Sequence, residues 1–547
     1  MSRHANKNEK EKENEYEEKT DAQTCVCLAL TMAAGLFTGC GSPAPKESES
    51  ASAETEKTEA GESQEAGKTE DSSAAAKDTL IIATANEAPN MTTNLHNATA
   101  GEYLNLMTHD RLFYSSEDLT PKPSLCESYE IVSDTEWLFH LRKGVKFHNG
   151  QEMKAEDVKA SLELCKESPQ VSQYGQSTGT IEVVDDYTVK ITTDGPQSGL
   201  LYDLCHHGNA ILPAELIANG HDFNKEPIGT GPYKLVEWKK GESIEFVAFE
   251  DYWNGEAPIK HVIWKVIPEG SSRTMALETG EVDLVVDVET TDLTRLMEAD
   301  GIEVFNEAGT THQWMMVNNE VAPFNNPDFR KAIASAIDKE AVIQVALQGT
   351  GSVSDSMLPG CFKGVTDTGA PSYDLDKAKE YMEASGLNPA DCGFAIICSD
   401  DMKLRMGQVI QSCLKENLGI DTTLESMDLA TYLDVTATGD YQAAIGNYTA
   451  SSLLAYSQGV YHSMSVNGSN KTRLNLPEID ALIEKVQTTL DPEENVKAVT
   501  ELSDALNEIC PQAPLFVRNN VRAYKKGLKG FNIDASGTTY YHRMSWE

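Results

Sequence analysis

Positive charge is what this chain has least of. It carries 45 Lys and Arg against 86 Asp and Glu, a formal net charge of −41. That balance excludes nucleic acid as a partner, because neutralising phosphates needs a basic footprint. No apolar run reaches the roughly 20 residues that a membrane-spanning helix requires. None of the 11 cysteines forms a C-x-x-C pair, which removes zinc ribbons and thioredoxin-like sites. A Walker A string is absent, and no G-x-G-x-x-G follows a strand; Gly349-Thr350-Gly351 reads as a loop. No segment recurs at a period of roughly 20–50 residues, so a solenoid is excluded. Metal finds no seat either. His206 and His207 are adjacent, so their side chains diverge on any regular element, and His109, His221, His261 and His462 have no partner at ligand spacing. No cofactor is expected.

What is present describes a large, two-part protein. At 547 residues and 40% hydrophobic composition the chain exceeds one ordinary core. Residues 25–39, CVCLALTMAAGLFTG, form a short apolar segment ending in small residues before Cys40. Its alternative reading is a buried helix of the fold, but the residues after it are linker rather than a second apolar stripe. Residues 1–39 therefore read as a secretory signal, and Leu36 to Cys40 resembles a bacterial lipobox, with Phe37 bulkier than the usual aliphatic residue. Cys40 is the expected lipidation site, tethering the protein to the membrane by hydrocarbon burial. Residues 40–78 hold Ser, Ala, Glu, Lys and Gly with almost nothing apolar, the composition of a flexible stalk. Eight further cysteines are scattered singly, a spacing that leaves both disulfides and buried thiols open.

The most informative stretch is 128–163. Trp137, Phe139 and Leu141 alternate with polar positions as in a half-buried strand. Lys143-Gly144 and Asn149-Gly150 mark turns around Val145 and Phe147. Val158, Leu162 and Cys165 then recur at helical spacing after the acidic first turn Glu156-Asp157, with Lys154 in the cap position. The order Leu-Arg-Lys-Gly, Val-Lys-Phe-His-Asn-Gly, Ala-Glu-Asp-Val resembles the signature of family 5 extracellular solute-binding proteins, the oligopeptide- and dipeptide-type components of ABC importers. Gly229-Thr230-Gly231-Pro232-Tyr233 and the block from Pro323-Phe324 to Ile333, with Asp338 capping the next helix, resemble that family too. The resemblance covers residues 79–547.

It implies an α/β, two-lobed periplasmic-binding-protein-like (type II) fold with an extra small subdomain in lobe one. Lobe I is expected over 79–317, with the small β-rich subdomain at about 115–210; lobe II over 318–510; and a return to lobe I over 511–547. Helices are expected at 103–112 and 404–417, a crossing between lobes around 313–319, and a returning strand at 514–518.

The implied function is capture of a peptide or similar small solute, for delivery to the permease subunits of an ABC importer. The protein would be a lipid-anchored monomer on the extracytoplasmic face of the cell membrane, and not an enzyme. Feeding a sensory receptor is the alternative. A serine hydrolase has one foothold, Gly175-Gln176-Ser177-Thr178-Gly179, but that string follows a polar helix tail and precedes a hairpin, not the strand-to-helix elbow a nucleophile needs. In the family a lobe-two segment supplies an aromatic residue and then an Asp for the ligand's amino terminus. Here that segment is 441–450, where Asn447 replaces the usual Trp and neither Thr449 nor Ala450 is an acid. Tyr448 is left as the aromatic wall. Trp314 near the crossing, Arg518 on the returning strand, and Asn94 and His96 in the first cleft loop complete the expected ligand-binding set.

Overall fold

A computed structural model describes residues 77–449 and 451–547. The expected signal peptide, Cys40, nearly all of the stalk, and Ala450 lie outside the described residues. Four strands from the first half of the chain form a separate antiparallel sheet in the order Cys126–Ile131, Glu136–Leu141, Thr188–Thr192, Thr180–Asp185. Trp137, Phe139 and Leu141 are each at most 2% exposed, as their alternation demands. The helix Ala155–Lys166 packs Val158 and Leu162 on this sheet, and Cys165 is buried with its thiol toward the Val171 carbonyl at 3.5 Å. Lys154 offers no acceptor for the first turn, but the Asp157 carboxylate reaches back to its N–H at 2.7 Å, half of a capping box.

The glycine-bearing turns singled out in the sequence dock on one another. His148 donates through Nε2 to the Gly231 carbonyl at 2.9 Å, and its backbone N–H donates to the Gly229 carbonyl. A Cβ on Gly229 would collide with the Thr108 carbonyl oxygen, and one on Gly231 with the His109 backbone nitrogen. Both positions therefore need glycine.

Two two-stranded pairs stand apart, Phe113–Ser115 with Pro121–Pro123 and Leu528–Lys529 with Ser545–Trp546, and the other strands build one eleven-stranded sheet that runs through both halves of the molecule. Its outer part on one side is Thr79–Thr84, His261–Val266, Ser243–Ala248 and Tyr233–Lys239; on the other it is Ala443–Thr449, Phe394–Cys398 and Thr422–Ser426. Two long antiparallel strands, Ile302–Val317 and Gln512–Lys525, join the parts. Ile302 to Ala308 pair with Lys525 to Asn519, and pairing resumes at His312 with Val517. Gly309, Thr310 and Thr311 thus bulge opposite Arg518, just before the segment 313–317 of the same strand. Each long strand is paired over both of its ends, which is why it extends further than its apolar pattern alone suggests.

Three boundaries move. The expected helix at 103–112 is Thr99–Thr108. It stops early because the Asp110 carboxylate is taken by Trp253 Nε1 at 2.8 Å, Tyr252 at 3.2 Å and Thr230 at 3.3 Å, which holds the chain out of helical geometry. The helix at 404–417 is Asp401–Leu418, capped by Asp400 onto the Lys403 N–H at 2.9 Å. The returning strand spans Gln512–Lys525 rather than 514–518. In the helix Pro327–Ala336, Phe329, Ile333 and Ala336 are buried as their spacing requires, Asn326 caps it, and Asp338 caps the next helix. All eight described cysteines are free thiols, the nearby Cys392 and Cys398 included.

Candidate functional site

The expected site residues fall into two groups, one near the strand Thr79–Thr84 and one near the strand Ala443–Thr449, with the two long strands between those strands in the sheet order. On the lobe-one side the irregular segment after Thr79–Thr84 brings Asn94 and His96 inward, 8% and 4% exposed. The Asn94 carbonyl accepts from Ser168 Oγ at 2.5 Å, and His96 is held by Asn105 Nδ2 at 3.0 Å and the Ala98 N–H at 3.3 Å. The His96 ring stacks on His207 with centroids 4.9 Å apart, and His206 stacks on Tyr174 at 3.5 Å. His206 and His207 do not diverge as their adjacency suggested. They sit at the start of a short 3-10 turn, not on a regular element, and their rings lie 4.2 Å apart. Burial pushes His96 and His207 down to about 4 and lowers His206 further, so the three rings are neutral near pH 7. Among the described residues no three His, Cys, Asp or Glu side chains gather as a metal site.

The lobe-two wall comes from the strand pair Ile302–Val317 and Ala443–Thr449. Thr311 and Thr449 share a hydroxyl contact of 2.8 Å, and His312 Nδ1 meets the Tyr456 hydroxyl at 2.8 Å. Tyr448 sets its edge against Tyr456 at 5.7 Å. Asn447 and Thr449 are exposed, Tyr448 half-buried. Trp314, Asn447 and Tyr448 converge on one pocket of about 390 Å³ that also takes in Tyr432, Gly446 and Gln512. Two buried polar atoms of that lining, Trp314 Nε1 and Gln512 Oε1, have no partner.

The walls approach at two points. Tyr174 lies near enough to Tyr448 to add to the upward shift that burial imposes on that phenol. Asp534 likewise acts on the Cys361 thiol, which burial pushes up to about 12. Behind the first contact the lobe-one wall continues through Arg111, Cys205 and Tyr540, which neighbour one another. Arg518 stands apart, exposed and opposite the bulge. Of the expected set, then, Trp314, Asn447 and Tyr448 come together, Asn94 and His96 line the other wall, and Arg518 marks the crossing.

Sequence reasoning missed Tyr174, Arg111, Tyr540, Asp534 and Tyr456. The only signal for them was a polar or aromatic residue beside a turn, which many surface positions share. A separate groove of about 510 Å³ runs between the small subdomain and lobe two, walled by Leu119, Tyr129, Trp137, Leu201, Phe362 and Leu490. The Asp118–Lys363 ion pair at 2.9 Å spans it. Ser177 sits on a 3-10 turn between a helix and a strand, without the elbow a hydrolase needs.

Residues 120–470 match the family of bacterial extracellular solute-binding proteins, family 5 Middle. Heme-binding protein A of Haemophilus influenzae is 26% identical over 460 residues, 78% of this chain and 84% of its own length. Among solved structures, HbpA2 from Haemophilus parasuis superposes with a TM-score of 0.80 at 22% identity, covering 86% of this chain and all (100%) of that one. The ABC transporter-associated periplasmic binding protein DppA from Helicobacter pylori, in complex with the peptide STSA, gives 0.67 at 25% identity over 86% of this chain and 98% of that one. The architecture is the two-lobed, type II fold.

Proposed function

Because the chain belongs to family 5 of the bacterial extracellular solute-binding proteins, we propose that it captures a peptide or similar small solute between its lobes and hands it to an ABC-type importer. The observation that carries this reading is the bulged crossing. Gly309 to Thr311 interrupt the pairing of the two long strands that run through both lobes, so the walls can part and close by a local backbone change. Closure takes the solute out of water. Its polar groups then need partners on the walls, and the exposed Asn447 amide and the half-buried Tyr448 hydroxyl are the groups to provide them. Trp314, Asn447 and Tyr448 form the lobe-two contact; Asn94 and His96 shape the facing loop; Arg518 attends the crossing. That relatives are named for heme or bound to a peptide supports a cleft adaptable in its cargo. No catalytic step is assigned. Residues 1–39 act as the signal, and Cys40 carries the lipid that keeps a monomer at the outer face of the membrane.

The test is mass spectrometry of material released by denaturing the purified protein, followed by melting with and without what is found. The expected result is one class of small solute that raises the melting temperature, because a ligand bound to the folded state alone stabilises it. Tyr448→Ala should weaken that rise while leaving the ligand-free protein folded. Turnover of the solute by the isolated chain would overturn the reading. Cys40→Ser should move the protein from the membrane fraction to the medium or periplasm.

A further inference from the structure

The pocket of about 390 Å³ lined by Trp314, Asn447 and Tyr448 also holds two lysines, Lys403 and Lys471, and no aspartate or glutamate among the described residues. In a chain of net charge −41 that balance is unusual. Contacts place both ammoniums beside the helix Leu429–Thr438, which supplies one side of the pocket. Lys403 Nζ lies 5.1 Å from the centre of the Tyr432 ring, and Lys471 Nζ donates to the Leu433 carbonyl at 3.5 Å. The two are held differently. Lys403 is 7% exposed, donates to Ser399 Oγ at 2.9 Å and has the Asp400 carboxylate at 3.4 Å. Lys471 is half-buried, pairs with no carboxylate among the described residues, and keeps only the long contact to Leu433. Burial pulls its ammonium below the usual lysine range, so an anion beside it restores what desolvation removes. The body of the lining is apolar or aromatic, and Leu429 and Leu433, one helical turn apart, are both exposed. Thr449 ends the neighbouring strand without an acid, so no carboxylate of the lining seats an ammonium.

We propose that this pocket seats the carboxylate of the captured solute on Lys471, with Lys403 as a second cation already shared with Asp400, and the apolar body of the solute against Trp314, Tyr432 and Leu433. This rests on the capture function proposed above and gives it a charge. The cargo is a small carboxylate with an apolar body, the chemistry of a short peptide's carboxyl end and of an apolar organic acid alike. A flexible ammonium serves as a point charge for either carboxylate oxygen, and in a half-buried pocket the pair is screened much less than at the surface. A peptide is then held on lobe two by its carboxyl end, and its amino end needs no charge.

The experiment compares the full chain with Lys471→Met and Lys471→Arg, each stripped of bound material by unfolding and refolding. All are melted alone, with one tripeptide pool in free, N-acetylated and C-terminally amidated forms, and with 3-phenylpropionate. Free and N-acetylated pools should raise the wild-type melting temperature alike. The amidated pool should need about ten- to a hundredfold more for the same rise, the loss expected for a charge-assisted contact. Lys471→Arg, which keeps the charge, should retain that preference, and Lys471→Met should lose it while melting as a folded protein when alone. Equal responses of the wild type to free and amidated pools would overturn the seat and leave peptide capture standing. A preference that survives Lys471→Met would overturn it as well. If 3-phenylpropionate alone stabilises the wild type, and Lys471→Met abolishes that rise, the seat stands and its cargo is an organic acid rather than a peptide. If none of these raises the wild-type melting temperature, the seat falls, and capture of some other solute is still decided by the mass spectrometry described above.

Discussion

Lowering the pH from 7 to 5 should unfold this protein at markedly lower denaturant, and buried imidazoles are the reason. Burial holds His109 and His312 down to about 3, and His96, His148, His207 and His542 down to about 4, with His206 also lowered. In the unfolded chain each regains its ordinary value of about 6.5. Their contribution is complete above that value and is lost as the pH falls below it, because only the unfolded state takes up the protons. Buried acids work the other way. Asp203 is pushed up to about 7, Asp110 and Asp534 to about 6. The folded state accepts their protons first, so their penalty at pH 7 is relieved as the pH drops. Glu102 and Asp157 shift in the same sense. At pH 5 the seven histidines outweigh these acids by a net of about three protons, hence a slope on the order of 4 kcal/mol per pH unit. That is a large part of the roughly 5–15 kcal/mol typical of a folded domain. Urea unfolding followed by circular dichroism at pH 7, 6 and 5 measures it. A midpoint that stays level or rises toward pH 5 would refute the reasoning.

Arg330 donates to the carbonyls of Cys510 at 2.8 Å, Phe324 at 2.8 Å and Ile509 at 2.9 Å, so it closes the C-terminal end of the helix Pro492–Ile509. Arg330→Met should cost about 3–5 kcal/mol, read from denaturant unfolding. A Cβ on Gly309 would sit 2.9 Å from the Arg518 carbonyl oxygen; Gly309→Ala should cost about 1–3 kcal/mol and alter ligand affinity more than a surface Gly→Ala does, by calorimetry. Phe329 is fully buried with its edge toward Phe324 at 5.4 Å, and Phe329→Ala should cost about 3–5 kcal/mol without changing which solute binds.

The architecture was legible wherever apolar spacing and turn chemistry agreed. The strand around Trp137 and Phe139, the helix with Val158 and Leu162, and the cap at Asp338 follow from local pattern alone. The crossing was not, because residues 302–311 are mostly polar and are strand only through pairing with Asn519 to Lys525, far along the chain. The same holds for the early end of the helix Thr99–Thr108, which is set by Trp253 and Tyr252 acting on Asp110. Among the candidates, Trp314 could be named for its place near the expected crossing and Tyr448 for the resemblance of 441–450 to the family's lobe-two segment, and both line one pocket. Tyr456 could not: in sequence it is one aromatic in a short apolar helix, and its meeting with His312 exists only in three dimensions.

The C-terminal tail carries a consequence for biosynthesis. Tyr541 and Met544 complete the apolar interior that begins with Leu80 and Ile82, and Trp546 Nε1 donates to the Thr79 carbonyl at 2.9 Å. The half of the molecule translated first is therefore finished last. The other half draws almost all its interior from one contiguous run between Trp314 and Phe516, so it can condense as the chain emerges, while its companion stays open until the ribosome has released the final residues. A chain that cannot close its first half early leaves that half's apolar strands exposed for longer during folding.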